Sequence, residues 1–473
     1  MTKSNMSGLT LSVLAAALLS ACSLAPDYFR PDLAVQNQWP EGVQPTGERK
    51  VNDLEWQALF PDPRLQAVIK LALDNNRDLR IAVARVEEAR GLYGVQRADR
   101  FPNADLTIGR TASRTPAAVT GAAQDVRVNR YDGALSLLSF ELDFWGRVAN
   151  LSAAAKASFL ASDEARRTVR LGLIADVANA YLTLQEMEER AALARETLQA
   201  RSETRKLIAL RREVGIAGDL DFLQADGALE TAKADYASIE RQRLQAANAL
   251  QLLVGSPLPK DLPPARALAD QGIVPDLAAD LPADVLLRRP DVRAAEQRLI
   301  AANANIGAAR AAFLPKIVLT GAFGSASPLL SGLFKDNTEA WSFTPSLRQP
   351  LFDWGRNSGN LDVAEARKIV AVADYEKTIQ TAFREVADLL AARDTLSEQL
   401  KAQDANRKAQ DERLKLVEAR YKAGIASHLE LLDAQRDSFT AQQNAVQVRR
   451  QLLSTTAQLY KALGGNEEKP AEG

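Results

Sequence analysis

The chain of 473 residues contains one cysteine, one histidine and three methionines. These residues supply most soft metal ligands and the usual base beside a catalytic nucleophile, so a protein-built metal cage or a histidine-based triad has too few parts here. Aromatic residues make up only 6% of the sequence. Lysine plus arginine (59) and aspartate plus glutamate (60) almost cancel, leaving a formal charge of −1. No basic patch stands out, so nucleic acid finds no electrostatic footprint. No phosphate-cradling P-loop occurs either, and any energy for work must come from a partner. The composition reads as that of a non-enzyme.

What is present begins at the N-terminus. Lys3 opens a short polar segment, and residues 9–21 form an apolar run of signal-peptide length, too short to span a bilayer comfortably. The run ends in Leu19-Ser20-Ala21-Cys22. That sequence resembles a bacterial lipobox, which implies removal of residues 1–21 and a covalent lipid such as palmitate on Cys22. No other cofactor is expected. Ser23, standing where an aspartate would signal retention, favours the outer membrane by the same resemblance. Residues 22–56 are rich in turn formers and lack a helical period, so they read as an extended strap that Trp39 and Trp56 are placed to pin.

Beyond the strap the chain repeats itself, and a repeat has to be recognised before a fold is assigned. Asp78-Leu79-Arg80 matches Asp291-Val292-Arg293, Gly94 matches Gly307 and Pro102 matches Pro315, all at an offset of 213. Trp145-Gly146-Arg147 matches Trp354-Gly355-Arg356, and Gly215-Ile216-Ala217 matches Gly424-Ile425-Ala426, both at 209. The change of four residues between Pro102 and Trp145 is expected in a loop. The chain divides into repeat 1 (57–265), a proline- and aspartate-rich linker (266–283), repeat 2 (284–465) and a tail (466–473).

Each repeat carries the same order of elements. A helix (63–99, and 289–312 in the second copy) stops before Phe101-Pro102 or Leu314-Pro315, because proline disfavours helical geometry in the residue before it. Two alternating segments of membrane-strand length follow, 105–113 and 131–142, then 316–325 and 341–352. Proline-free helices over 147–213 and 356–422 come next, and at about 1.5 Å per residue each would be on the order of 100 Å long. The second shows one apolar stripe through Ile369, Val372, Ile379, Phe383, Val386 and Leu390. A glycine turn then sends each chain back over 220–253 and 429–463. Four strands cannot close a barrel, and lipid tolerates no open sheet edge, so membrane strands here require oligomerisation. Three copies would supply twelve.

The lipobox followed by Ala25-Pro26-Asp27-Tyr28, the Trp-Gly-Arg elements, the two Gly-Ile-Ala turns, Leu431-Leu432-Asp433-Ala434-Gln435-Arg436 and the C-terminal Leu459-Tyr460-Lys461-Ala462-Leu463-Gly464-Gly465 together resemble the outer membrane factor (TolC-like) family, in its NodT-type lipoprotein branch. The resemblance covers essentially the whole mature chain. It implies a mainly α protein with membrane β: a homotrimer whose 12-stranded β-barrel is continued by a long periplasmic α-helical barrel. It also implies an outer-membrane exit duct for drugs or other small amphiphiles, working with a periplasmic adaptor protein and an inner-membrane pump of the RND type, in contact with outer-membrane lipid. An exit duct for type I protein secretion and a periplasmic adaptor lipoprotein are the alternatives. The family's periplasmic gate maps onto Leu429, Asp433 and Arg436, which step by four and three and so share a helix face. Its adaptor-docking tips map onto Val214, Gly215, Ile216, Ala423, Gly424 and Ile425. Asp219, Asp221 and Asp226 would offer a comparable polar lining in the first copy. His428, near the tip, reads as an exposed and incidental histidine.

Overall fold

The computed structural model describes residues 23–32, 35–36, 38–40, 49–50, 54–273, 277–278 and 282–466. The signal peptide, Cys22 and the tail beyond Asn466 lie outside the described residues. Repeat 1 supplies α1 (Pro63–Asn75), α2 (Arg77–Ala98), β1 (Asp105–Thr115), β2 (Val126–Leu142), α3 (Arg147–Glu213) and α4 (Asp219–Val254). Repeat 2 supplies α5 (Pro282–Arg288), α6 (Pro290–Ala311), β3 (Lys316–Ser327), β4 (Glu339–Arg348), α7 (Arg356–Lys422) and α8 (His428–Ala462).

The single helix expected over 63–99 is two helices. Asn76 has extended backbone at the end of α1, its side-chain oxygen accepts Leu79 N–H (2.9 Å), and its amide donates to the Leu253 carbonyl (2.8 Å). A side chain that caps the next helix in this way favours a break at its own position. Repeat 2 breaks at the equivalent residue, Arg289, where Pro290 follows. The strands also differ from expectation at their ends. The first hairpin extends past the expected 105–113 and 131–142 into the segment between them, and β4 stops at Arg348, short of Pro350, which has no N–H to give a ladder.

The four strands form an antiparallel sheet in the order β1-β2-β3-β4, so the second strand of repeat 1 pairs with the first of repeat 2. Register locates the four-residue difference between repeats. Leu106 faces Leu135 and Leu319 faces Pro345, so the offset falls from 213 in the first strand of each hairpin to 210 in the second. Three residues are therefore lost in the turn. The fourth is not in a loop: the β2–β3 register shifts by one between Leu137 and Phe140, a bulge that inserts one residue into β2.

The chain forms two compact units, each drawing on both repeats. One comprises Met1–Pro31, Arg85–Asp163 and Ala294–Tyr375 and holds the sheet. In it the aspartates of the strand-to-helix elbows cap the long helices: Asp143 accepts Ala149 N–H (2.7 Å) and Asp353 accepts Asn357 N–H (3.0 Å). Trp145 donates its indole N–H to the Pro315 carbonyl at 2.9 Å, while its repeat-2 equivalent, Trp354, is fully exposed. The strap is fastened to the same unit. Glu296, almost buried, receives Arg30 through both carboxylate oxygens (2.7 and 3.1 Å) and the Tyr28 hydroxyl (3.0 Å), and Asn303 donates to the Pro26 carbonyl (2.7 Å). Gly307 lets the strap lie close, since a Cβ there would stand 2.7 Å from the Ala25 nitrogen.

The other unit comprises Asp32–Ala84, Glu164–Arg293 and Glu376–Gly473. Its core gathers Leu59, Phe60, Leu65, Ile69, Val177, Tyr181, Leu182, Leu250, Val386, Leu390 and Tyr460, with Trp56 packed against it. Burying each large side chain contributes about 1.5–3 kcal/mol. Trp39 stacks on Phe383 at 5.1 Å, as a pinning role requires. Two polar groups of this core satisfy each other: Asp62 caps α1 at Arg64 N–H (2.9 Å) and accepts the buried Tyr181 hydroxyl (2.8 Å). The apolar stripe of α7 is buried at Ile379, Val386 and Leu390 but emerges at Ile369.

Candidate functional site

Two regions carry features that folding alone does not require. The first is one face of the sheet. Along β4 the side chains alternate Trp341, Phe343, Pro345, Leu347 against Ser342, Thr344, Ser346, Arg348. The register places Phe323 beside Trp341, Leu319 beside Pro345, Leu135 beside Phe323 and Leu106 beside Leu135, so the apolar set of all four strands falls on one side. These side chains are exposed except for the half-buried Leu319, Trp341 by 76%, and a contiguous apolar face of this kind marks contact with lipid or protein. The opposite side carries Thr107, Ser136, Thr320, Ser342 and Thr344, with Thr107 and Ser136 hydroxyls 3.0 Å apart. β1 and β4 each have a neighbour on one side only, which leaves two sheet edges open. Among the described residues no helix is long and apolar enough to cross a membrane.

The second region is the pair of glycine turns. Gly215 (φ +75°) and Gly424 (φ +77°) occupy the left-handed region, where other residues are strained. Each turn closes with the same two bonds: Ile216 N–H to the Arg211 carbonyl (2.8 Å) and Gly215 N–H to that of Arg212 (3.0 Å), and Ile425 to Arg420 (2.9 Å) and Gly424 to Tyr421 (3.0 Å). These are the six-to-one and five-to-two bonds of a Schellman ending. The turn directs apolar residues outward: Val214, Ile216 and Ile425 are all more than two-thirds exposed. A Cβ added at either glycine would meet no described residue beyond its chain neighbours within 4 Å.

Ser427 caps α8 by accepting Glu430 N–H (3.2 Å), which starts the helix so that Leu429, Asp433 and Arg436 follow on one face. Leu429 is about half exposed. Asp433 lies 3.2 Å from Arg436, but the guanidinium is shared, because its other arms reach Asp437 at 3.0 and 3.2 Å. Arg413 also meets Asp437 (2.8 Å), and the two arginines hold the Asp437 carboxyl below its ordinary range. The aspartates of the first copy are divided differently. Asp219 pairs with Arg212 (2.7 Å) and Asp226 with Arg205 (3.1 Å), and both arginines lie over the Phe222 ring at under 5 Å.

His428 departs from its sequence reading. It is 7% exposed, its ring lies 5.9 Å from that of Tyr421, and neither ring nitrogen has a hydrogen-bond partner among the described residues. The helix-start register fixed by the Ser427 cap turns it inward, which no sequence motif announces. Arg201, missed entirely by sequence reasoning, is also buried in this region. Among the described residues no group of three potential metal ligands converges.

A family model described as outer membrane efflux protein matches residues 68–256 and 281–465, one match for each repeat. The chain is 45% identical over 465 residues to the toluene efflux pump outer membrane protein TtgF of Pseudomonas putida, covering 96% of both chains. It is 43% identical over 454 residues to the outer membrane protein OprJ of Pseudomonas aeruginosa, covering 96% of this chain and 95% of that one. Among solved structures, the open state of the MtrE outer membrane channel of Neisseria gonorrhoeae superposes with a TM-score of 0.86 at 40% identity, covering 94% of this chain and 98% of the other.

Proposed function

The chain belongs to the outer membrane efflux protein family, and from that premise we propose that three copies close a twelve-stranded barrel through which small amphiphilic compounds leave the cell. It is the outer-membrane component of an efflux system, located in the outer membrane and extending into the periplasm. Its family is one of channels, not of enzymes. The observation that carries the reading is a four-stranded sheet with one exposed apolar face and two open edges. Lipid demands that every backbone N–H and C=O be paired, and about eight strands are the fewest that close.

The remaining parts follow from what a duct needs. Three copies of Leu429 crowd the axis at the periplasmic end, while three Asp433 carboxylates, each with Arg436 one turn on as its counter-charge, keep the tip shut until a partner competes for the arginines. Val214, Gly215, Ile216, Ala423, Gly424 and Ile425 form the tips that dock a periplasmic adaptor, which links the duct to an inner-membrane pump. A lipid on Cys22 adds an anchor to the barrel, and the strap fastened at Glu296 leads from it. Toluene appears in the name of the relative TtgF, and small apolar solutes of that kind suit the mechanism here, which requires passage and not chemistry.

The test is dye efflux from cells that keep the cognate pump and adaptor but lack this chain. Wild type restores efflux, and Ile216→Asp with Ile425→Asp restores none while reaching the outer membrane in normal amount. Wild-type protein that reaches the outer membrane and leaves dye retention unchanged would overturn the proposal.

A further inference from the structure

We propose that the cavity between α3, α4 and α8 is a binding site for a small apolar carboxylate, with Arg201 as its counter-charge. The cavity has a volume of about 300 Å³. That is the lower end of the range for small-molecule sites, and too small for a partner's helical hairpin. Its walls are mainly apolar, with Ala228, Leu432 and Phe439 among them, and Arg201 lines it.

Arg201 is 93% buried by its 7% exposure, yet its Nη1 has no hydrogen-bond partner among the described residues. Its Nη2 reaches the Leu432 carbonyl, at a long 3.5 Å. Other buried arginines of this chain are provided for: Arg289, equally buried, meets Asp291 and Glu385 at 2.8 and 2.7 Å. The acidic groups at the cavity do not fill the same role for Arg201. Asp433 is taken by Arg436 at 3.2 Å, and Asp235 is exposed to solvent with no ion pair to Arg201. Burial, with no compensating carboxylate, pulls the Arg201 guanidinium below its ordinary pKa. A guanidinium fork in an apolar pocket is complementary to a planar carboxylate bearing an apolar body. A neutral isostere would leave the fork unsatisfied, and an amine would be repelled.

The site shares residues with the gate proposed above but does not rest on that reading, since binding is measured without current. The full chain in lipid nanodiscs is titrated calorimetrically with benzoate and, separately, with benzyl alcohol, against empty nanodiscs. Benzoate is expected to bind once per chain and at least tenfold more tightly than benzyl alcohol. Arg201→Met should weaken benzoate at least tenfold and leave benzyl alcohol nearly unchanged. Ala228→Leu, which fills the cavity and keeps the arginine, should weaken both, and it carries the test if Arg201→Met does not fold. Equal affinity of wild type for the two probes, no benzoate binding to folded wild type, or undiminished benzoate binding by the folded variants would each overturn the proposal.

Discussion

His428, the one histidine of the chain, sits at the first position of α8, and its burial withholds water from the imidazolium. Desolvation lowers its pKa below the ordinary value, nearby Arg201 and Arg211 act in the same direction, and Asp221 opposes them. The neutral ring is therefore the folded form, while the unfolded chain takes up a proton near pH 6.5. A depressed histidine makes the folded state lose stability as pH falls through that value toward the lower folded pKa, and the contribution is fully present above it. The melting temperature of wild type should thus fall more steeply between pH 7.5 and 5.5 than that of His428→Leu; parallel slopes would contradict the assignment. None of this was legible in the sequence, where a lone histidine after Ser427 looked exposed. Burial of one side chain depends on helix register and on what lies across from it, and neither is local. Asp433 and Arg436 were legible as a pair because i,i+3 spacing suffices for that. The claim of Asp437 on the same arginine was not.

Elements were far more legible than residues. The two long helices lie at their expected bounds, Arg147–Glu213 and Arg356–Lys422, because uninterrupted helix formers between a capped elbow and a glycine leave no competing local structure. Weaker punctuation was missed. Asn76 breaks a helix through tertiary hydrogen bonds to Leu253, and the bulge at Leu137 exists only relative to a partner strand. Strand faces followed from alternation, since side chains of period two must fall on opposite sides. That assignment has a measurable consequence. Phe343→Lys, on the exposed apolar face near the middle of β4, should cost about 2–4 kcal/mol of folding stability in lipid vesicles, as a midplane cation on a barrel's lipid side does. Ser342→Lys, one residue away on the polar face, should cost much less. Urea titrations of folding into vesicles separate the two, and equal losses would mean that the faces are wrongly assigned.

The whole assembly can be read from the internal repeat, because the join between repeats inside one chain is a template for the join between chains. Within the chain Leu135 of β2 faces Phe323 of β3. The equivalent of Leu135 is Pro345 and that of Phe323 is Arg110, so β4 should pair with β1 of the next copy with Pro345 opposite Arg110 and Phe343 opposite Ala112. Trp354, exposed in the single chain, should then donate to the Pro102 carbonyl of that neighbour, as Trp145 does to Pro315. Phe343→Cys combined with Ala112→Cys should yield a disulfide-linked trimer on oxidation, whereas Phe343→Cys with Ile108→Cys, four residues out of register, should not. The reverse pattern would refute the register.

The central claim is an outer-membrane pore closed at its helical tips, and single-channel conductance in planar bilayers tests it most directly. Wild-type trimers should show a low, flickering conductance that rises severalfold when Asp433→Ala and Arg436→Ala are combined. Folded trimers that insert and give the same conductance with and without the Asp433–Arg436 bridge would contradict the account.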